Sequence, residues 1–275
     1  MLRVFVDSGS SIKQEEKELY NVEIIPLKIL LGDKEYKDGI DLSMDEFYHQ
    51  LIDNKIFPKT SLPSVVDFED KVNAYTEVGD DVIIITISSK ISGTYNFIRL
   101  LFEDNPKVTV IDSLTAVGGI RLLVNEINRF RKEAVDFIVS KVKALIPRIK
   151  VAAIPETLTY LLRGGRLSKV SYALGTALRI HPVISLDDGK VQVDAKKRGL
   201  RHSMEYIVNS LEELKCDPNH EIIPSYTYQK DNLEKLICLT DVKYHSQMKV
   251  YDNLDPAIAC HWGPNAFGYI FVKSE

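Results

Sequence analysis

Apolar and polar positions along the first half of the chain alternate between two periods. "LRVFVD" (2–7) is an apolar, β-branched run that ends in the turn "DSGSS", and it predicts a strand leading into a loop. "VEIIPLKILL" (22–31) reads as one further strand and "GDKEY" (32–36) as a turn. "SMDEFYHQLIDN" (43–54) has Ser43 and Glu46 at the spacing of a capping box, with Phe47 and Leu51 on one helical face. "SVVDFEDKVNAYTEV" (64–78) places Val65, Phe68, Val72 and Tyr75 at i, i+3, i+7 and i+10, the period of a second helix. A strand at Val82–Ile87, a helix after Ser92, the strand "KVTVID" (107–112) and a long helical region from Val117 to Ile146 follow. Strands separated by helices in this way predict a mainly parallel sheet with helices packed on its faces.

The pattern changes after Pro147. "KVAAI" (150–154) reads as a strand, "ETLTYLLRGGR" (156–166) as a short helix ended by Gly164–Gly165, and "SKVSYALGTAL" (168–178) as another helix. "PVISLDDGKVQVDA" (182–195) has two β-rich runs joined by Asp187–Asp188–Gly189, a hairpin signal. A helix Leu200–Leu214, a strand in "HEIIPSYTY" (220–228), a helix Asn232–Leu239 and strands near "MKVYD" (248–252), "AIAC" (257–260) and "GYIFV" (268–272) complete the reading. Hairpins mixed with helices predict an α+β second domain. The expected division is 1–148 for an N-terminal α/β domain and 149–275 for a C-terminal α+β domain.

Composition agrees with two domains, since 275 residues exceed what one core usually serves. Hydrophobic residues at 45% and charged residues at 27% suit a soluble globular protein. No apolar run approaches the roughly 20 residues that span a bilayer, and "MLRVFVDSGSS" reads as strand and turn rather than a signal peptide. A net charge of −4 argues against a dedicated nucleic-acid binder. Cys216, Cys238 and Cys260 are sparse, odd in number and far apart, which suggests reduced, buried thiols and a cytoplasmic setting. The six histidines have no zinc-ligand spacing, so no metal site is expected.

Chemistry concentrates in the loops. "VIIITISSKISGTYNFIRLLF" (82–102) carries Thr86, Ser88, Ser89, Ser92 and Thr94 around Gly93, where a strand turns into a helix. Free N–H groups and the macrodipole make such a helix start a site for an anion, and hydroxyls there either cap the helix or donate to a bound oxyanion. The phosphate-loop motif is excluded because no lysine follows Gly93 in the required place. "KTSLPS" (59–64), "LLRGGRLSK" (161–169) and "CHWGPNAFG" (260–268) are further glycine- and hydroxyl-rich loops, and "VDSGSS" (6–11) and "IDSLTAVGG" (111–119) sit at strand ends. Ligands of open α/β sheets bind at the carboxyl ends of strands, the edge expected to hold the Asp7, Ser88 and Asp112 segments.

In this order, "TSLP", "ISGTY", "LRGGRLS" and "HWGPNAFG" resemble the DegV family of bacterial fatty-acid-binding proteins, and the resemblance covers nearly the whole chain. It implies two α/β domains with a fatty acid held between them. The carboxylate lies near the interdomain surface and the acyl chain in a buried apolar tunnel. It also implies a partner, an ATP-dependent fatty acid kinase that forms acyl phosphate for phospholipid synthesis. Family members are carriers with no catalytic residue of their own, and no cofactor, no nucleic acid and at most transient membrane-surface contact are expected. Thr60 and Ser92 are implied to hold the carboxylate, Ser61 and Gly93 to support them, and His261 to lie near the head group. Arg166 and Arg198 match arginines at the pocket mouth and the kinase-facing surface, where Lys196, Lys197 and Arg201 join Arg198. The chain departs from the usual pattern at Asn265, where Gly-Pro-Gly is usual, at Trp262 and at Gly9.

Plainer roles compete with these. Ser92 caps its helix, Thr60 orders the turn before Pro63, His261 is a buried strand-end histidine, and the basic cluster is a solvated face. Asp7 and Asp112 cap turns rather than serve as acid and base. A rival from another class is a serine hydrolase using Ser92, His261 and Asp7 or Asp112, against which stands the lack of a Gly-x-Ser-x-Gly elbow. A kinase acting on its own ligand lacks any nucleotide motif.

Overall fold

The computed structural model describes residues 1–168 and 180–275, so the helix expected over 168–178 lies, beyond Ser168, outside the described residues. The chain forms two compact units. The first comprises Met1–Ile146 with Asp255–Ala257, the second Pro147–Leu254 with Ile258–Glu275.

In the first unit the strands are β1 (Leu2–Asp7), β2 (Glu23–Ile25), β3 (Lys28–Leu31), β4 (Lys34–Lys37), β5 (Lys59–Ser61), β6 (Asp81–Thr86) and β7 (Val108–Asp112). β2, β1, β6 and β7 form, in that order, an all-parallel sheet. Val82, Ile83, Ile84 and Ile85 are all fully buried, because a parallel sheet is covered on both faces and an unbroken apolar run satisfies both. One face packs Phe5, Ile25 and Ile84 against Phe68, just before the helix Glu69–Glu77, Val72 within that helix, and Ile98 of the helix Thr94–Leu101.

Three expectations in this half are corrected. "VEIIPLKILL" is two strands: Pro26 has no N–H to continue the ladder, and β3 leaves for a separate antiparallel sheet ordered β4-β3-β5. "GDKEY" is only half turn, since Gly32 at φ +65° opens a two-residue hairpin and Lys34–Lys37 is strand. The region 117–146 is two helices, Gly118–Arg129 and Val135–Leu145. The Ser43 cap is present, its Oγ accepting Glu46 N–H at 3.2 Å, while the Glu46 carboxylate takes the Tyr36 hydroxyl at 2.9 Å.

The second unit holds β8 (Ile149–Ile154), β9 (Ile180–Asp187), β10 (Lys190–Arg198), β11 (Ile223–Tyr226), β12 (Asp252–Asn253) and β13 (Phe267–Val272). They form one sheet in the order β10-β9-β8-β13-β11-β12, antiparallel except for the β11–β12 pair. Asp188 and Gly189, both at positive φ, make the tight β9–β10 turn. The helices Leu200–Glu213 and Asp231–Leu239 set Met204, Ile207, Leu211, Leu233 and Leu236 against Val183, Tyr269 and Phe271. "AIAC", expected as a strand, belongs to the helix Pro256–Trp262: Pro256 suits a first helical position, and Ala257, Ile258, Ala259 and Cys260 are buried all round. The fold is thus a mixed α/β architecture, a parallel sheet in one unit and a mainly antiparallel one in the other.

Candidate functional site

The loops with Ser8–Ser11, Ser88–Thr94 and Ser113–Thr115 follow the carboxyl ends of β1, β6 and β7, while Thr60 and Ser61 lie on β5 of the antiparallel sheet. Register decides which of the "TSLP" hydroxyls faces inward. Thr60 pairs with Ile29, which pairs with Tyr36, and both partners are buried. Ser61 pairs with Lys28, is exposed, and points to the other side, because successive strand residues alternate. Gly93 lies against this loop: a β-carbon there would come within 3.3 Å of Leu62 Cδ2. The "TSLP" and "SGT" stretches are therefore neighbours in space.

Ser92 stands at the start of the helix Thr94–Leu101. Its Oγ lies 2.8 Å from Thr94 Oγ1 and accepts Thr94 N–H at 3.3 Å, a local turn just before the helix; the N-cap residue is Gly93, not Ser92 as expected. Ser88 braces the approach, its carbonyl accepting the N–H groups of Ile91 and Ser92 at 3.1 Å each. Asp7 accepts Gly9 N–H at 3.0 Å on one oxygen and Ile87 N–H at 2.8 Å on the other. Asp112 Oδ1 accepts the N–H groups of Ser89 and Leu114 at 3.0 and 3.2 Å. Both aspartates shape loops, the plainer of the two roles weighed for them. Burial pushes Asp7 up to about 7 against those two amides. Val117, at φ +48° and ψ −131°, holds a conformation that β-branched residues avoid, fixed by its N–H on Gly9 O at 2.7 Å.

In the second unit His261 ends the helix Pro256–Trp262 rather than a strand. Its ring lies on Gly164, where a β-carbon would meet Nδ1 at 2.3 Å. Burial, with the positive charge of Arg166 nearby, pushes the imidazole down to about 4, so it is neutral at physiological pH. Arg166 Nη1 donates to the Gly164 carbonyl, and burial lowers its own pKa. One glycine thus joins both sequence-predicted side chains. Asn265 stands at φ +59°, left-handed as the motif needs, with Nδ2 on Glu156 Oε2 at 3.0 Å. Trp262 packs on Leu158, Leu161, Leu167 and Ile184.

The basic cluster divides. Burial alternates along β10, with Lys196 and Arg198 exposed and Lys197 half-buried, its Nζ 5.0 Å from the centre of the Tyr206 ring. Arg201 is bound to Glu205 Oε1 at 2.9 Å. Tyr160, whose ring a β-carbon at Gly263 would strike at 2.3 Å, was not singled out from the sequence. Nor was Thr227, whose Oγ1 donates to Gly263 O at 2.7 Å. In the sequence that turn is marked by Gly263 and Pro264, and Gly263 takes φ +73°.

Comparison with known proteins bears on this geometry. The profile described as "Uncharacterised protein, DegV family" matches residues 1–274. A DegV domain-containing protein of Clostridium acetobutylicum is 31% identical over 282 residues, covering 99% of each chain. A solved stearic-acid-binding protein of Eubacterium ventriosum aligns at a TM-score of 0.87 with 28% identity, over 99% of this chain and 98% of that one. A DegV family protein of Thermus thermophilus, solved for its fatty-acid binding, aligns at 0.87 with 26% identity over 99% of both. With its hydroxyl loops side by side in the first unit and its histidine, glycine and arginine together in the second, the chain belongs to the DegV family.

Proposed function

We propose that this protein is a carrier that binds a long-chain fatty acid, its carboxylate on the hydroxyls of Thr60 and Ser92, and presents it to an ATP-dependent fatty acid kinase. The observation that carries this reading is the approach of Leu62 to Gly93, which puts two hydroxyl loops together at a helix start. The stearic-acid and fatty-acid binding of its structural relatives supports the ligand class. Ser61 and Gly93 support the two hydroxyls, and the neutral His261 and Arg166 are assigned to the head group as well. Neutral donors hold a carboxylate less firmly than a bidentate arginine would, which leaves its oxygens free to react. Apolar burial, at about 0.8 kcal/mol per CH₂, supplies most of the affinity. No helix among the described residues is long and apolar enough to cross a membrane, and we place the protein in the cytoplasm, without catalysis of its own.

Organic extracts of the purified protein, read by mass spectrometry, should contain long-chain fatty acid at near one molecule per chain. Ser92→Ala and Thr60→Val should each weaken retention about ten- to hundredfold, the equivalent of roughly 1.5–3 kcal/mol for a hydrogen bond to a charged group. Melting temperatures should hold. No acyl chain in extracts, and none taken up when supplied, ends the proposal; unchanged affinity in both variants ends the head-group assignment.

The kinase surface is assigned to Arg198, with Lys197 and Arg201 beside it. Arg198 and Lys196 are exposed on one face of an edge strand, against a net charge of −4, and such rim charges steer encounter. Arg198→Ala should therefore bind fatty acid normally but slow kinase-dependent acyl-phosphate formation, most at low salt. Loss of ligand with normal coupling per bound ligand would place the arginine in the pocket instead.

A further inference from the structure

Two carboxyl groups are buried in the first unit at the segment Asp255–Ala257, one of them paired with a lysine and the other bound to the Ala257 amide. Asp38, which follows β4, is fully buried, and Asp255 is 6% exposed. Lys13 Nζ donates to Asp255 Oδ1. Asp38 Oδ1 accepts Ala257 N–H at 3.1 Å, two residues beyond Asp255. The Asp38 N–H donates to Leu27 O at 2.8 Å, so β4's exit is tied down as well. The other charges facing the group are already committed. Arg121 is paired with Glu16 through both terminal nitrogens, and Glu15 is exposed to solvent. Asp38, Asp255 and Lys13 together are neutral only when one carboxyl is protonated. With both ionised, a net negative charge is sealed in the core, which a protein interior disfavours strongly.

We infer that Asp38 and Asp255 hold a single proton between them, and that Asp38 is a positioning residue fixing the first turn of the helix that carries His261. Ala257 and His261 are four residues apart on this seven-residue helix and so share a face. Play at Ala257 therefore reaches the imidazole. Burial, and after it the charge of Asp255, pushes Asp38 up to about 8, while the Ser8 hydroxyl, the Ala257 amide and Lys13 hold it down. Burial raises Asp255 too, against the pull of Lys13 and Arg121, with Glu15 adding a small push upward. Lys13 is paired with Asp255, so the shared proton falls to Asp38. Its loss leaves the excess negative charge to be relieved by water entering and the Asp255–Ala257 segment lifting away. The link to His261 rests on the fatty-acid reading above; the shared proton does not.

The experiment has two arms. In the first, hydrogen exchange is followed in the peptide spanning Ala257, corrected for the intrinsic rate, from about pH 6 to about pH 9. Protection in the wild type should fall about tenfold per pH unit once above the titration point. Asp38→Asn keeps an acceptor for Ala257 N–H but has no proton to lose, and its protection should stay flat. Asp255→Asn, which leaves Asp38 neutralised by Lys13 alone, should be flat as well and serves if the first variant does not fold. Constant wild-type protection, or the same fall in the variants, overturns the shared proton. In the second arm, retention of a supplied long-chain fatty acid should decline along the wild-type exchange curve and not in Asp38→Asn. Parallel decline in both overturns the positioning of His261. A protein that takes up no fatty acid at any pH defeats the carrier reading, and the exchange arm still decides the proton.

Discussion

Gly268→Ala should leave the second unit unable to close its sheet. A β-carbon at Gly268 would stand 2.2 Å from the Ala152 carbonyl oxygen and 2.5 Å from Ala153 Cα. Both are backbone atoms of β8, and Gly268 pairs with Ala153 in the antiparallel ladder. A side chain could swing aside, but a strand can yield only by shifting as a whole. β13 has β8 on one side and β11 on the other, so the shift reaches the Tyr269 and Phe271 core. The cost should exceed the usual overpacking penalty of about 1–3 kcal/mol. Trp262, the single tryptophan, belongs to this unit and reports on it by fluorescence. Its thermal transition should fall by about 10 °C or more, or the soluble yield should collapse. A midpoint within about 2 °C of the wild type would show that the strands can part more easily than their pairing indicates.

Arg121→Met should cost the first unit about 3–5 kcal/mol, the range for breaking a buried ion pair from one side. The guanidinium is 1% exposed and fully engaged at its ends. Nη1 donates to Glu16 Oε1 at 3.0 Å and Tyr20 Oη at 2.8 Å; Nη2 donates to Ser11 O at 2.9 Å and Glu16 Oε2 at 3.2 Å. One side chain thus ties the helix Gly118–Arg129 to the turn at Ser8–Ser10 and the segment ending at Tyr20. Methionine keeps the bulk and removes every donor. Burial works to raise the Glu16 pKa, but Arg121 and the Lys13 amide outweigh it and hold the carboxyl below its ordinary value. The sign follows: this contribution is present above the unfolded pKa and is lost as pH falls through the lower folded one. Denaturant unfolding should show a wide gap between variant and wild type at neutral pH and a narrower one in acid. An equal gap at both would mean that Arg121 acts by packing alone.

Much of the architecture was legible in the chain because its periods are clean. The β-branched run Val82–Ile85 was legible as a strand, which the structure covers on both faces, and Asp188–Gly189 announced its hairpin. The misreadings have local causes. Apolar continuity across 22–31 hid the break that Pro26 makes. Four apolar residues at 257–260 are too few for periodicity to separate a strand from a buried helix, and the alanines and Pro256 were the better guide. At the site, the hydroxyls of Ser92 and Thr60 could be named from residue type and context. That Thr60 faces inward and Ser61 outward follows from pairing with Ile29 and Lys28, which no spacing in "TSLP" encodes. The embrace of His261 by Gly164, and the meeting of Asp38 with Ala257 across 219 positions, are tertiary facts with no local signature.

The return of Asp255–Ala257 into the first unit sets a rule for synthesis. A ribosome delivers the chain from its amino end, and domains usually fold as they emerge. The first unit cannot finish that way. Its buried Asp38 waits for an amide made 219 residues later, after nearly all of the second unit has been translated. Until then the early product has an open seam, and its buried acid lacks one of its hydrogen-bond donors. Its last packing step falls due only after most of the second unit has been made, which makes translation products stalled before that point clients for chaperones rather than carriers of half the fold.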